Sequence, residues 1–141
     1  MHDPKTLSAA AMAVALAAHA ELPSLLGAEK ATRASRDKAA HAAAVASMVA
    51  ASRRQGAGVT LARLFDREDG GAGRIGALQD IAAGRPVREG LLDALSHAGL
   101  IRRKWHTAST LTDHGSAVLA LHHELTAAPT TTPTPNPTED R

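Results

Sequence analysis

The large apolar side chains of this chain are concentrated after Val59, and that asymmetry limits where a core can form. Hydrophobic residues make up 44% of the 141 positions, but much of that share is alanine, and Phe65 and Trp105 are the two aromatic residues. Alanine removes little area from water, so a core requires the Leu, Ile and Val side chains to gather in one place. The sequence predicts one packed domain with appendages. There is no cysteine, hence no disulfide framework and no thiolate site, which fits a reducing, cytoplasmic setting.

The first 57 residues read as a helical region. Met1 to Thr6 is polar and expected to fray. Leu7 to Ala20 is Ala-rich, with Leu7, Met12, Val14 and Leu16 as its larger apolar residues, and this run is too short to span a bilayer. Ala18-His19-Ala20 has the form of a signal-peptide cleavage site. Asp3 stands beside Lys5 in the leading segment, however, and the run is mostly alanine, so an ordinary helix is expected. Pro23 and Gly27 mark a break over Leu22 to Gly27. Glu29 to Gln55 is then free of Gly and Pro and predicts a long helix, ended by Gly56 and Gly58. Two Ala-rich helices pack closely, either as a dimer interface or as a brace for the rest of the chain.

Residues 58–127 carry the informative pattern. Leu61, Leu64 and Phe65 predict a short amphipathic helix. Asp69 to Gly73 reads as a flexible loop, and Ile75, Leu78, Ile81 and Ala82 predict the next helix. After a turn at Ala83-Gly84-Arg85, Val87, Leu91 and Leu95 repeat every four residues, with Pro86 suited to the first helical turn and Gly99 to the cap at the end. Leu100 and Ile101 then start a short strand that continues through Arg102, Arg103, Lys104 and Trp105. Its alternate faces carry Ile101, Arg103 and Trp105 on one side and Leu100, Arg102 and Lys104 on the other. His106 to Ala108 turns the chain, and Ser109 to Leu111 pairs back. Thr112 is the expected N-cap of a last helix, with Asp113 in its first turn and Val118, Leu121 and Leu125 on one face.

The order helix, short turn with Gly, helix, two strands and helix resembles the winged helix-turn-helix transcriptional regulators of the MarR and PadR kind. The resemblance covers the stretch from Arg85 to Leu125 most closely. It implies a mainly α fold with a short two-stranded wing, and a regulator that binds double-stranded DNA as a homodimer. It further implies that the start of the helix after Arg85 enters the major groove. An Arg at the start of this helix, Arg85 or Arg88, would then reach guanine, and Glu89 would either face phosphates or accept from cytosine. Arg102, Arg103 and Lys104 would meet phosphates, with Thr107 and Ser109 adding neutral hydrogen bonds. Two other uses of the same fold stay open. One is a protein-interaction module in which Glu89 and Asp93 face a protein partner. The other is a plasmid or phage DNA-organising protein.

Other chemistry finds less support. Between Arg53 and Lys104 there are ten basic residues against six acidic ones, a mild excess. His97, His106, His114, His122 and His123 fall within residues 58–127 without an HxxxH pair, so no metal is expected. DGGAGR is a weak imitation of a phosphate loop, and no nucleophile sits in an activating pattern, so neither an enzyme nor a cofactor is expected. No membrane partner is expected, and the sequence leaves the effector ligand unassigned. The tail at residues 128–141 is rich in Pro and Thr and predicts disorder.

Overall fold

The computed structural model describes residues 3–104 and 108–127. The chain is mainly helical, with one small antiparallel sheet. Helix α1 is Pro4–Ser35 and α2 is Lys38–Phe65. They form an antiparallel hairpin, as the Ser8 Oγ donation to the Ala62 carbonyl (3.1 Å) and the Thr32–His41 contact (3.3 Å) place the base and the tip in register. Helices α3 (Ala72–Ala82), α4 (Glu89–His97) and α5 (Asp113–Ala127) surround the base. Strands β1 (Ile101–Arg102) and β2 (Thr110–Leu111) pair Ile101 with Leu111 and Arg102 with Thr110.

The hairpin corrects the expected breaks. Residues Pro4–Thr6 are helical, because Asp3 caps the helix by accepting from the Thr6 amide (3.3 Å) and Pro4 occupies the first turn. Helix α1 then runs through Pro23 and Gly27 without ending. Its alanines supply enough propensity, and α2 enough packing, to carry the local cost of both residues. The uninterrupted helix is long and apolar enough to cross a membrane by length and composition, although the shorter Leu7–Ala20 run is not. The turn falls instead at Arg36-Asp37, which contains neither Gly nor Pro. Arg36 adopts a left-handed φ of 61°, and the Asp37 carboxylate accepts from the Ala40 amide (3.1 Å) to start α2. Helix α2 continues through Gly56 and Gly58 to Phe65, so the expected short helix is its last two turns, and the division expected at residues 57–58 falls inside it. Gly58 is what lets the helices meet: a Cβ there would lie 2.6 Å from the Ala11 carbonyl oxygen and 2.8 Å from the Ala15 Cβ.

The core sits where the hairpin base meets the smaller helices. Its fully buried large side chains come one each from five segments: Leu61 of α2, Leu78 of α3, Leu95 of α4, Leu100 before β1, and Val118 of α5. Leu7, Leu64, Phe65, Ile75, Ile81, Ile101 and Leu121 pack with them, and alanines fill the remaining space. Leu100 and Ile101 are both buried, so strand alternation begins only at Ile101. The Asp69–Gly73 segment is organised rather than flexible. The Asp69 carboxylate accepts from the Gly71 and Gly73 amides (2.8 and 2.9 Å) at the start of α3, and these bonds hold its pKa below the usual carboxylate range.

Helix α4 begins at Glu89 and not at Pro86, with Arg88 as its N-cap. The Arg85 amide donates back to the Asp80 carbonyl (2.7 Å) and the Gly84 amide to Ile81 (3.1 Å), a paired closure of α3 that uses the residues just before Pro86. Proline belongs here to the exit from α3 rather than to the entry of α4. The end of α4 repeats the pattern: Gly99 (φ 76°) donates to Ser96, and Leu100 donates to Leu95 at 2.9 Å. Thr112 caps α5 as expected, accepting from the Gly115 amide (3.0 Å) while donating to the Gly99 carbonyl (2.6 Å). That bond draws α5 against the end of α4. Gly115 is obligatory there, since a Cβ would fall 2.0 Å from the Leu100 carbonyl oxygen.

Candidate nucleic-acid interface

Helix α4 is short, and its exposed side is acidic. Glu89 and Asp93 lie four residues apart, so they stand one above the other on that side. Arg103, just beyond β1, reaches across and bonds to both carboxylates, one guanidinium nitrogen to each. Those two carboxylates, Glu89 foremost, raise the Arg103 pKa and hold its charge firmly in place. The acidic face of α4 is therefore partly neutralised by the strand next to it.

This bridge fixes a junction. Because Arg103 touches Glu89, the end of β1 lies beside the N-terminus of α4. Arg88 precedes Glu89 directly, and Arg102 and Lys104 flank Arg103. All three are exposed, and among the described residues they carry no ion pair. Arg102 projects from the sheet edge opposite Thr110. Arg85 is different: its Nε donates to Asp80 at 2.9 Å, which ties it to the end of α3. Arg85 and Ser109 line a recess of about 360 Å³ together with Pro86, Val87 and Leu92. Thr107 lies outside the described residues, as does Trp105.

Of the eight residues expected at the site, Arg88, Glu89, Arg102, Arg103 and Lys104 come together, whereas Arg85 and Ser109 sit around the neighbouring recess. Two acidic residues join the site without being in the expected set. Asp93 is the second anchor of Arg103, and its spacing from Glu89 is the available signal. Asp80 is the partner of Arg85, five residues away across a helix end, and carries no comparable signal. Among the described residues no three His, Asp or Glu converge on a point. His114 is used internally, its Nε2 lying 2.9 Å from Thr60 Oγ1.

No family model matches this chain, and neither a curated protein nor a solved structure matches it.

Proposed function

We propose that α3 to α5, with the β1–β2 hairpin as a wing, form a winged helix-turn-helix module that binds double-stranded DNA. The protein would serve as a transcriptional regulator, working in the cytoplasm as a homodimer. One arrangement carries this reading: the Arg103–Glu89 contact gathers Arg88, Arg102 and Lys104, which have no ion pair among the described residues, around the junction of α4 and β1. In docking of this class the start of α4 enters the major groove, where Arg88 reaches guanine O6 and N7. Arg102 and Lys104 meet phosphates, with Ser109 as a neutral donor.

Arg103 has a changed role in this reading. Its guanidinium is taken by Glu89 and Asp93, so it fastens the wing to α4 and sets the position of its neighbours. It also cancels part of the negative charge that those carboxylates would otherwise turn toward phosphate. Arg85, held by Asp80, contributes at the margin.

The test is binding of the full chain to its own upstream DNA at rising salt. Affinity should fall steeply as counterions are released, and Lys104→Ala should lower the salt slope by about one. Arg88→Ala should cost about 1–3 kcal/mol on a cognate duplex and flatten discrimination between bases. Absence of binding at low salt across varied duplexes, or binding indifferent to salt, would overturn the reading. That result would favour a protein-interaction module using the carboxylates of α4.

A further inference from the structure

The distal hairpin has no closed core of its own. Among residues 19–50 the one buried side chain is Glu29, which lies between the helices and is held by Arg33 and His41. The Arg33 hydrogen bond is the main reason that the Glu29 pKa is lowered. Large apolar side chains are present in this hairpin, but they point outward: Met12, Leu16, Leu26, Val45 and Val49 are 38–62% exposed.

These side chains share one side of the hairpin. At about 100° per residue, Met12, Leu16 and Leu26 trail the Ala11, Ala15 and Ala18 line that meets α2, all in the same rotational sense. Val45 and Val49 are displaced in that same sense from Ala51 and Gly58 on α2. The helices are antiparallel, so equal rotation carries both stripes to a common face. Helix α5 covers the opposite side, where Arg54 reaches Glu124 at 3.0 Å. Nothing else in the described chain covers the apolar face.

We propose that this face is where a second copy of the chain docks, joining two hairpins into a four-helix bundle. The inference deepens the homodimer part of the functional reading and does not depend on contact with DNA. Size supports a second copy. From Lys5 to Lys30 the face is about 38 Å long and two helices wide, about 20 Å. That offers roughly 750 Å² from each partner, close to a standard stable interface. Composition supports it too. Alanines beside Leu, Met and Val allow close helix approach, and the face carries none of the aromatic anchors of helices that lie in a lipid interface.

The charges on the face sharpen the test. By helical position, Lys5 and Arg63 flank the apolar centre at the base and Lys30 and Lys38 at the tip, and no carboxylate of α1 or α2 shares that side. Whichever way a second copy lies, cations at its ends meet cations. Exposed like charges are screened by salt, so the dimer is unchanged or tighter as salt rises, whereas attraction to an anionic surface weakens.

The experiment is sedimentation equilibrium of the full chain at tens of micromolar, an order-of-magnitude choice, at low and high salt. A dimer is expected at both. Leu16→Glu combined with Val49→Glu should give a monomer of unchanged helicity. The milder Leu16→Ser with Val49→Ser keeps the question open to refutation if the charged pair misfolds, and should weaken the dimer about tenfold or more. A monomeric parent would overturn both the face and the homodimer reading. A dimer that survives the double variants would overturn the face alone. A parent that is monomeric in solution and binds phosphatidylglycerol vesicles in a salt-sensitive way would assign the face to lipid. Binding to DNA, measured separately, fails or succeeds independently of all three.

Discussion

Beyond Ala18 the two long helices bury one side chain fully, the Glu29 carboxylate, with Leu22, Leu25 and Met48 half-buried beside it; around Leu78 the helices meet through buried leucine, isoleucine and valine drawn from five segments. Both regions are helical to a similar degree. They differ in what holds the helices together. In the distal hairpin, propensity and end caps define the helices, and Leu26, Val45 and Val49 are left to the outside. In the smaller helices the sequence is poorer in alanine, and burial of large side chains defines where each helix lies. Helix formation and core formation are thus separable within one chain of this length. A helix can be specified locally while its partner surface is left unfilled.

The largest effect expected from this contrast comes from deleting volume in each region. Leu78 is fully buried, and Leu78→Ala should cost about 2–5 kcal/mol of unfolding free energy. Leu16 is 62% exposed, so Leu16→Ala should cost at most about 0.5 kcal/mol in a monomer. Chemical denaturation of both variants at low protein concentration compares the two directly. Similar costs would erase the distinction between the regions.

A smaller effect is expected where the hairpin is tightest. Gly58→Ala puts a methyl group against the backbone of Ala11 and Ala15, neither of which is the end of a flexible side chain. The helices must separate, at about 1–3 kcal/mol. Gly27→Ala is the useful contrast, because a Cβ there meets nothing within 4 Å. It should be neutral or stabilising through helix propensity, by up to about 1 kcal/mol. Thermal melts that rank the two variants the other way would show that the α1–α2 crossing is looser than its geometry indicates.

The same contrast explains what is legible in the sequence. The Leu91–Leu95 face, the Gly99 cap and the Thr112 cap are legible, because each rests on a local rule that tertiary packing reinforces, whereas Val87 precedes α4 and takes no part in its helical repeat. The two strands are legible as a short return between two helices. The hairpin is not, because Pro23, Gly27, Gly56 and Gly58 are ordinary helix breakers, and nothing local shows that a second helix will pack on them. Its true turn at Arg36-Asp37 is carried by a cap and a left-handed arginine, a weaker signal than any glycine. Pro86 points to the wrong helix because a proline fits equally well just after one helix or just inside the next. At the candidate site the basic residues are legible as a run. The Arg103 bridge is not, since it joins residues ten and fourteen positions apart.

The seam between the regions should respond to pH. His122 of α5 lies half-buried with its ring 5.9 Å from that of Phe65 on α2. Burial, and then the neighbouring His123, lowers its pKa below the usual 6.5. The unfolded chain therefore binds this proton more readily than the folded one. The contribution of His122 to stability is complete above about pH 6.5 and declines as pH falls below it, toward the lower folded pKa. Melting temperature measured from pH 8 to pH 5 should drop less in His122→Asn than in the parent. Parallel curves would place the acid sensitivity elsewhere, with Glu29 and Asp69 contributing only at more acidic pH.

The smallest expected effect lies on the same seam and asks whether the hairpin and the smaller helices unfold as one unit. Arg54 and Glu124 pair at 3.0 Å between α2 and α5, with about half of each side chain exposed. Arg53 and Asp113 pair at 3.0 Å at the other end of α5, and Asp113 is 82% exposed. Pairs this open gain little over water, and a double-mutant cycle with Arg54→Ala and Glu124→Ala should give a coupling of about 0.2–1 kcal/mol that shrinks in high salt. The hydrophobic contact of Leu121 and Val118 with Leu61 and Phe65, and not these ion pairs, would then join the two regions. A coupling well above that range would mean that charge holds α5 to the hairpin. In that case removing the pair should give two unfolding transitions, with the α1–α2 hairpin melting apart from the helices that surround Leu78.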